Sequence, residues 1–231
     1  MRVLAIIPAR SGSKGIPDKN VTLLGNKPLM NWTIDAAKKS KYINKIVVST
    51  DSEKYALIAA ENGAETVMRD ETLSNDKVHS VYAVLDGLRR LKEDNDYVPD
   101  VVLMLLPTSP LRKSNSIDRA IELYLEKKPQ SVISVTKSDK QLLHFRTIND
   151  ASYLKPVKEV SDYNVQRQDL EDLYELNGSI YVSSPTALHK EESFHISNGS
   201  LPLIMSEEES VDINLPKDLE YAEYLIRKQK A

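Results

Sequence analysis

Residues 8–20 read P-A-R-S-G-S-K-G-I-P-D-K-N, and they gather side chains suited to holding an anion. Arg10, Lys14 and Lys19 supply positive charge, and Ser11 and Ser13 can donate hydrogen bonds. Gly12 and Gly15 let backbone N–H groups come close to a ligand, because no Cβ stands in the way. Such a set fits a triphosphate. The spacing is neither that of the G-x-x-x-x-G-K-[ST] loop nor that of the G-x-G-x-x-G dinucleotide turn. The plain alternative is a solvated basic loop that binds nothing.

The surrounding elements must decide between these readings. Residues 3–7 form an apolar run of strand length that ends at Pro8. In an open α/β sheet, ligands bind at the carboxyl ends of the strands, where a loop after the first strand lies. The rest of the pattern supports such a sheet. A helix over 30–39 places Trp32 and Ala36 on one face, and a β-branched strand follows at 45–49. Ser52 suits the cap of a helix that runs to about residue 62, with Gly63 as its stop. A short strand at 66–68 precedes a helical stripe of Val81, Val84, Leu85, Leu88 and Leu91. Strands at 101–106 and 131–135 flank a helix at 116–126, and strand character returns at 179–182 and 201–205. A last helix over 216–228 buries Leu219, Ala222, Leu225 and Ile226. This alternation predicts an α/β fold: a three-layer, Rossmann-like, mostly parallel sheet.

One domain is expected over residues 1–231. Within it, about 137–178 is polar and poorly periodic, as an arm, inserted hairpin or lid would be. The run of glutamates at 207–209 reads as a solvated turn.

Composition excludes several classes of function. The chain has 231 residues, 31 Lys and Arg against 34 Asp and Glu, and no Cys. The absent Cys rules out a disulfide scaffold, thiolate zinc sites and a Cys nucleophile. A net charge of -3 argues against a chain built around nucleic acid or an anionic membrane. No apolar run reaches the roughly 18 residues of a membrane span. A cytoplasmic protein is expected. His79, His144, His189 and His195 are scattered and suggest no His-based metal site.

Several further segments together resemble one family. Residues 46–51 read I-V-V-S-T-D, and Arg69 is followed by Leu73, Asp76 and Ser80. Pro107, Thr108 and Ser109 open P-T-S-P-L-R, which ends at Arg112. Arg167 and Gln168 precede N-G-S-I-Y, from Asn177 to Tyr181. Ser210 opens S-V-D-I-N, which holds Asp212 and Asn214, and Asp218, Ala222 and Glu223 follow. With the first loop, this order and spacing resemble the acylneuraminate cytidylyltransferases, the CMP-sialic acid synthetase family, over most of the chain.

The resemblance implies a nucleotide-diphospho-sugar transferase type of fold and a reaction. The anomeric hydroxyl of a 2-keto-3-deoxy sugar acid, a nonulosonic acid, attacks the α-phosphate of CTP, and pyrophosphate leaves. It implies that Arg10, Ser13, Lys19 and the loop amides hold the triphosphate, with Asn20 near the ribose, Arg69 and Ser80 near the cytosine, and Asp76 also among the nucleotide-binding residues. It implies Mg²⁺ on Asp212, with Asn214 as a second donor. It assigns Pro107, Thr108, Ser109, His144, Arg167, Gln168, Asn177 and Tyr181 to the acceptor side. It implies a homodimer, made by the arm.

The chain departs from the family at four places. Asn214 stands where many members carry Asp, Leu106 where they carry Gln, and Glu175 where they carry a basic residue. His144 falls where a Lys serves the sugar acid. The nucleotide end is nearly intact, so the departures point to the acceptor: a legionaminic- or pseudaminic-type acid as readily as sialic acid. Two other readings remain, a 3-deoxy-octulosonate cytidylyltransferase and a catalytically weakened nucleotide-binding module.

Overall fold

The computed structural model describes residues 1–74, 78–157 and 170–230. Strand β1 (Val3–Pro8) is buried from Val3 to Ile7 on both faces. That is the pattern of a central parallel strand, and β-branched Val3, Ile6 and Ile7 suit it. A short hairpin, β2 (Leu23–Leu24) with β3 (Lys27–Pro28), leads into α1 (Leu29–Lys38). β4 (Lys45–Thr50) follows, and then α2 (Glu53–Glu61), whose N-cap Ser52 accepts the Tyr55 N–H. β5 (Glu65–Met68), α3 (Ser80–Asn95), β6 (Val101–Leu105), α4 (Ser114–Lys127) and β7 (Ser131–Lys137) continue the alternation. The arm adds a small hairpin of β8 (Arg146–Ile148) and β9 (Leu154–Pro156). β10 (Tyr174–Ser183), α5 (Pro185–Glu191), β11 (Ser200–Met205) and α6 (Pro216–Lys230) complete the chain.

Seven strands form one sheet in the order β11-β7-β10-β6-β1-β4-β5. β1 runs parallel to β4 and to β6, whereas β10 is antiparallel to both its neighbours, β6 and β7. The chain steps outward from β1 to β4 and β5, then returns to β1's other side at β6. The carboxyl ends of β1 and β6 therefore flank a switch point, where open α/β sheets bind ligands.

Alternation along β1 divides the core. Val3, Ala5 and Ile7 face Met30 and Ile34 of α1, Tyr55 and Ala59 of α2, and Ile117 and Ile121 of α4. Leu4 and Ile6 face Val84, Leu88 and Leu91 of α3 and Leu188 of α5. Helices thus cover both faces, giving three layers. A smaller cluster packs Ala222, Leu225 and Ile226 of α6 on Leu24, Leu29 and Ile213. That cluster carries the chain after β11 back to the mouth of the β1 loop.

The structure departs from the sequence pattern in three places. Helix α5 shows little apolar periodicity, because Leu188 is its one buried residue. Strand β10 extends back to Tyr174, where Tyr174 and Leu176 pair with β7 while exposed, so apolar alternation fails there. The glutamate run is not wholly solvated. Glu209 is buried and accepts the Ser116 hydroxyl at 3.0 Å, because the turn folds back on the first turn of α4.

Candidate active site

A cleft of about 340 Å³ opens at the switch point. Its floor is the end of β1 and the start of the P-T-S-P-L-R turn: Pro8, Leu106, Pro107 and Thr108. Arg10, Ser13, Lys14, Gly15, Lys19 and Asn20 form one wall, and Arg69, Leu73, Val78, His79 and Ser80 form the opposite wall. Asn214 closes the rim. Volumes of roughly 300–1,000 Å³ are usual for small-molecule sites.

Internal ties hold the loop in this shape. Ser11 gives both its N–H and its hydroxyl to Asp51, at 2.7 and 2.9 Å. Gly12 takes φ +69°, a left-handed conformation costly for a residue with a Cβ. Gly15 lies so close to the 212–214 segment that a Cβ would stand 2.4 Å from the Asn214 carbonyl oxygen. Asn20 is buried and donates to the Arg10 carbonyl at 2.9 Å, which closes the loop's base. The Arg10 guanidinium turns toward the Gly12 carbonyl at 3.2 Å. Ser11 and Gly12 do not line the cleft but shape the turn behind it.

Lys19 is the best-placed cation. Its ammonium donates to the Ile213 carbonyl at 2.7 Å. Burial pulls its proton affinity below the ordinary lysine value, with Asp212 opposing and Arg10 assisting that shift. Across the cleft, Arg69 is 7% exposed, and its Nε and Nη2 find no partner among the described residues. Burial lowers its proton affinity and Asp51 opposes this, yet a guanidinium stays charged. Unsatisfied donors on a cleft wall call for an acceptor from a ligand. The sequence segment that pointed to Arg69 also pointed to Asp76, which lies outside the described residues.

Beneath the floor, Arg112 is buried and ties the P-T-S-P-L-R turn to its neighbours. It donates to the Leu106 carbonyl at 2.6 Å and to the Ser179 hydroxyl at 3.0 Å. Ser109 is fully buried under the turn and does not line the cleft. Leu106, at the end of the strand read over 101–106, is half-buried and reaches the cleft floor.

The 212–218 segment is ordered by its own side chains. Ile213 donates its N–H to the Thr108 carbonyl at 2.8 Å, so the segment is stitched to the floor. Asn214 gives its side-chain amide to Asp212 Oδ2 at 2.6 Å. Asp218 accepts the backbone N–H groups just before α6, those of Asn214 and Leu215 at 2.9 and 2.8 Å. The other oxygen of Asp212 and the amide oxygen of Asn214 are hard donors of the kind Mg²⁺ takes. Among the described residues no cluster of three or more His, Cys, Asp or Glu could hold a metal ion. The donor set therefore fits a cation held by one carboxylate together with substrate phosphates.

A second cavity of about 350 Å³ shares His79 and Ser80 with the first. Tyr82, Met104, Tyr181, Glu192, Phe194 and His195 line it. The Tyr181 ring packs on Phe194 at 5.5 Å and on His195 at 5.7 Å. Burial, with the negative charge of Asp212, pushes the Tyr181 phenol up. Sequence reasoning missed Glu192 and His195, which stand in a loop without periodicity. Asn177 is not in either cavity. Its amide is used on Ser134, Ser179 and Ser210, where β10 bulges. His144 is exposed in the arm, away from both cavities. Arg167 and Gln168 lie outside the described residues.

Comparison with known proteins gives this geometry a family. A cytidylyltransferase family model matches residues 4–230. An N-acylneuraminate cytidylyltransferase of Streptococcus agalactiae serotype V is 39% identical over 220 residues, covering 94% of this chain and 52% of that protein. The chain thus spans about half the length of the first curated relatives it matches. A CMP-N,N'-diacetyllegionaminic acid synthase of Legionella pneumophila is 37% identical over 228 residues, 98% of this chain and 97% of that protein. The solved structure of CMP:2-keto-3-deoxy-manno-octonic acid synthetase complexed with CTP superposes with a TM-score of 0.73 at 13% identity, covering 99% of this chain and 100% of that one. At that identity the likeness is one of fold. The motifs, the cleft at the switch point and the full-length relatives agree, and the chain belongs to the acylneuraminate cytidylyltransferase family.

Proposed function

We propose that the chain joins CTP to a nonulosonic acid, giving a CMP-sugar and pyrophosphate. The observation that carries this is the cleft itself. Lys19, Arg10 and Gly15 share the cleft with buried Arg69, whose Nε and Nη2 find no partner among the described residues, and a second cavity opens beside them. One cavity suits the nucleotide, and the other suits an acceptor. The departures at Leu106 and Glu175, with relatives named for both acylneuraminate and legionaminic acid, make a legionaminic- or pseudaminic-type acid as good a candidate as sialic acid.

In this reading the anomeric hydroxyl of the acid attacks the α-phosphorus of CTP. The new C–O–P bond forms as the bond to the bridging oxygen breaks, and pyrophosphate carries away that electron pair. The hydroxyl proton passes to solvent. The residues contribute position and charge, which suffice for much of such a transfer. Lys19 and the loop amides hold the β- and γ-phosphates, and Arg69 and Ser80 hold the base. Asp212 and the amide oxygen of Asn214 would hold Mg²⁺. When bound, that ion neutralises the charge that builds on the departing pyrophosphate.

A homodimer is part of the proposal. Ile148 and Leu154 pair across the β8–β9 hairpin and, with Tyr153 beside them, stand exposed, an apolar surface of the kind that marks a contact. A second copy would also bring its arm, with His144, toward the acceptor cavity. A cytoplasmic setting completes the reading. It fits the absence of Cys, and no helix among the described residues is long and apolar enough to cross a membrane.

The test is pyrophosphate release from CTP with a panel of sialic, legionaminic and pseudaminic acids and 3-deoxy-octulosonate. Release with a nonulosonate supports the reading. Release with 3-deoxy-octulosonate alone replaces the acceptor. CTP binding without release from any acid leaves the weakened module.

A further inference from the structure

Asp51 occupies the carboxyl end of β4, one residue past the last ladder position. In sequence it reads as the end of a strand. In the structure both its oxygens are taken by one residue, Ser11, through the N–H at 2.7 Å and the hydroxyl at 2.9 Å. Ser11 immediately precedes Gly12, whose left-handed φ turns the phosphate loop back across the cleft. The loop's far flank is gripped from the same segment. Asp18 accepts the Tyr55 phenol and the Lys54 ammonium, each at 2.9 Å. The Tyr55 side chain is 1% exposed, so that anchor belongs to the core.

Asp51 also borders the opposite wall. Parallel pairing places Thr50 opposite Met68, and the Arg69 N–H donates to the Thr50 carbonyl at 2.9 Å. The next residues along, Asp51 and Arg69, are therefore neighbours at the sheet's edge. Burial acts to raise the Asp51 carboxyl, but the hydrogen bonds from Ser11, together with its own backbone N–H and the charge of Arg69, hold the group below the ordinary carboxylate range.

A carboxylate beside a triphosphate site is an electrostatic cost, since like charges repel. We propose that Asp51 is a positioning residue of the nucleotide site: by clamping Ser11 it sets the Gly12 turn that aims the loop's N–H groups at phosphate. The inference rests on the cleft being the CTP site.

The sign of one effect separates this role from its absence. If Asp51 contributed only charge, its removal would tighten the binding of an anion. If it positions the loop, removal weakens binding. CTP affinity of the full chain, measured by calorimetry, reads this directly. Asp51→Ala is expected to weaken CTP by about tenfold or more, the scale of hydrogen bonds to a charged group. Asp51→Asn can still accept the Ser11 N–H and meet its hydroxyl, and is expected to stay within about threefold of the original affinity. The thermal midpoint of Asp51→Asn should stay near that of the unchanged chain, and that of Asp51→Ala should fall, because it loses two hydrogen bonds that favour the folded state. In turnover the Ala variant should raise KM for CTP more than it lowers kcat. Tighter or unchanged CTP binding by Asp51→Ala overturns the proposal, as does failure of Asn to restore binding in a variant of unaltered thermal midpoint. Failure of the catalytic reading looks different: the unchanged chain would bind CTP, the two variants would follow the expected order, and no acid would release pyrophosphate.

Discussion

The Lys19 ammonium donates to the Ile213 main-chain carbonyl at 2.7 Å, between the two candidate metal donors Asp212 and Asn214. A loop that follows the first strand is thereby joined to a segment that precedes the last helix. The same cation faces the cleft, so one side chain touches the loop, the 212–214 segment and the cleft between the walls.

The lowered proton affinity of Lys19 gives a pH prediction. Burial depresses its pKa, so the charge is present at neutral pH and is lost as pH rises, earlier than in an ordinary lysine at about 10.4. kcat/KM for CTP should fall on an alkaline limb below that value, since this ratio reports the free enzyme. Lys19→Arg should move the limb out of reach, because a guanidinium does not titrate there. Lys19→Ala should lower kcat/KM about 10- to 100-fold, the worth of a hydrogen bond to a charged group. A limb that stays in place in the Arg variant assigns it to another group.

Gly15 is expected to tolerate no side chain. Its conformation is not left-handed, so the objection is contact alone. A Cβ would meet the Asn214 carbonyl at 2.4 Å, and that backbone is held by Asp218 and by the neighbouring tie of Ile213 to Thr108. Gly15→Ala should push the loop from the 212–214 segment and cost about 1–3 kcal/mol, the usual range for forced overpacking. The loss should appear in CTP affinity and turnover, while the far-UV spectrum is unchanged. Normal CTP affinity in this variant would show that the loop adjusts freely.

Asn214 offers a probe of the proposed metal site. Its amide now donates to Asp212 Oδ2 at 2.6 Å. Asn214→Asp replaces that donor with a second carboxylate against the first, a like-charge pair that resists full ionisation without a cation. Without Mg²⁺ the variant should melt lower than the original. With Mg²⁺ it should gain more in thermal midpoint, because a ligand that binds only the folded state stabilises by mass action. The Mg²⁺ concentration for half-maximal turnover should fall as well. Equal Mg²⁺ stabilisation in both proteins would remove position 214 from the metal site.

Much of this was legible in the chain because the relevant residues are contiguous. The 8–20 loop and the P-T-S-P-L-R turn each carry their chemistry in a short stretch, and the β-α rhythm places both at strand ends. What was not legible depends on contacts between distant segments. Nothing in the neighbourhood of Asp51 says that Ser11, forty positions away, takes both its oxygens. Asn177 sits in a family motif, yet its amide is spent on three serines that hold a bulge, which no local pattern reveals. Glu209 reads as solvated beside two other glutamates, and is buried because α4 arrives from elsewhere to meet it. Strand β10 outran its apolar signal because its outer end lies at the arm, where Leu176 remains 57% exposed in the single chain.

That exposed end and the hairpin beyond it lead to the last prediction. Ile148, Tyr153 and Leu154 are 73%, 72% and 71% exposed, on a two-stranded ribbon that has no core of its own. Isolated two-stranded hairpins are marginal in water. Docking on a second copy would bury these side chains, each worth about 1.5–3 kcal/mol when fully covered. Ile148→Ser with Leu154→Ser should therefore shift the chain from dimer to monomer in light scattering at micromolar concentration. The central sheet should persist, since neither residue touches its core clusters. If the dimer also carries His144 toward the acceptor cavity, the monomer should keep its CTP affinity and lose apparent affinity for the sugar acid. A chain that is monomeric before substitution, with full turnover, would show that the arm serves some other contact.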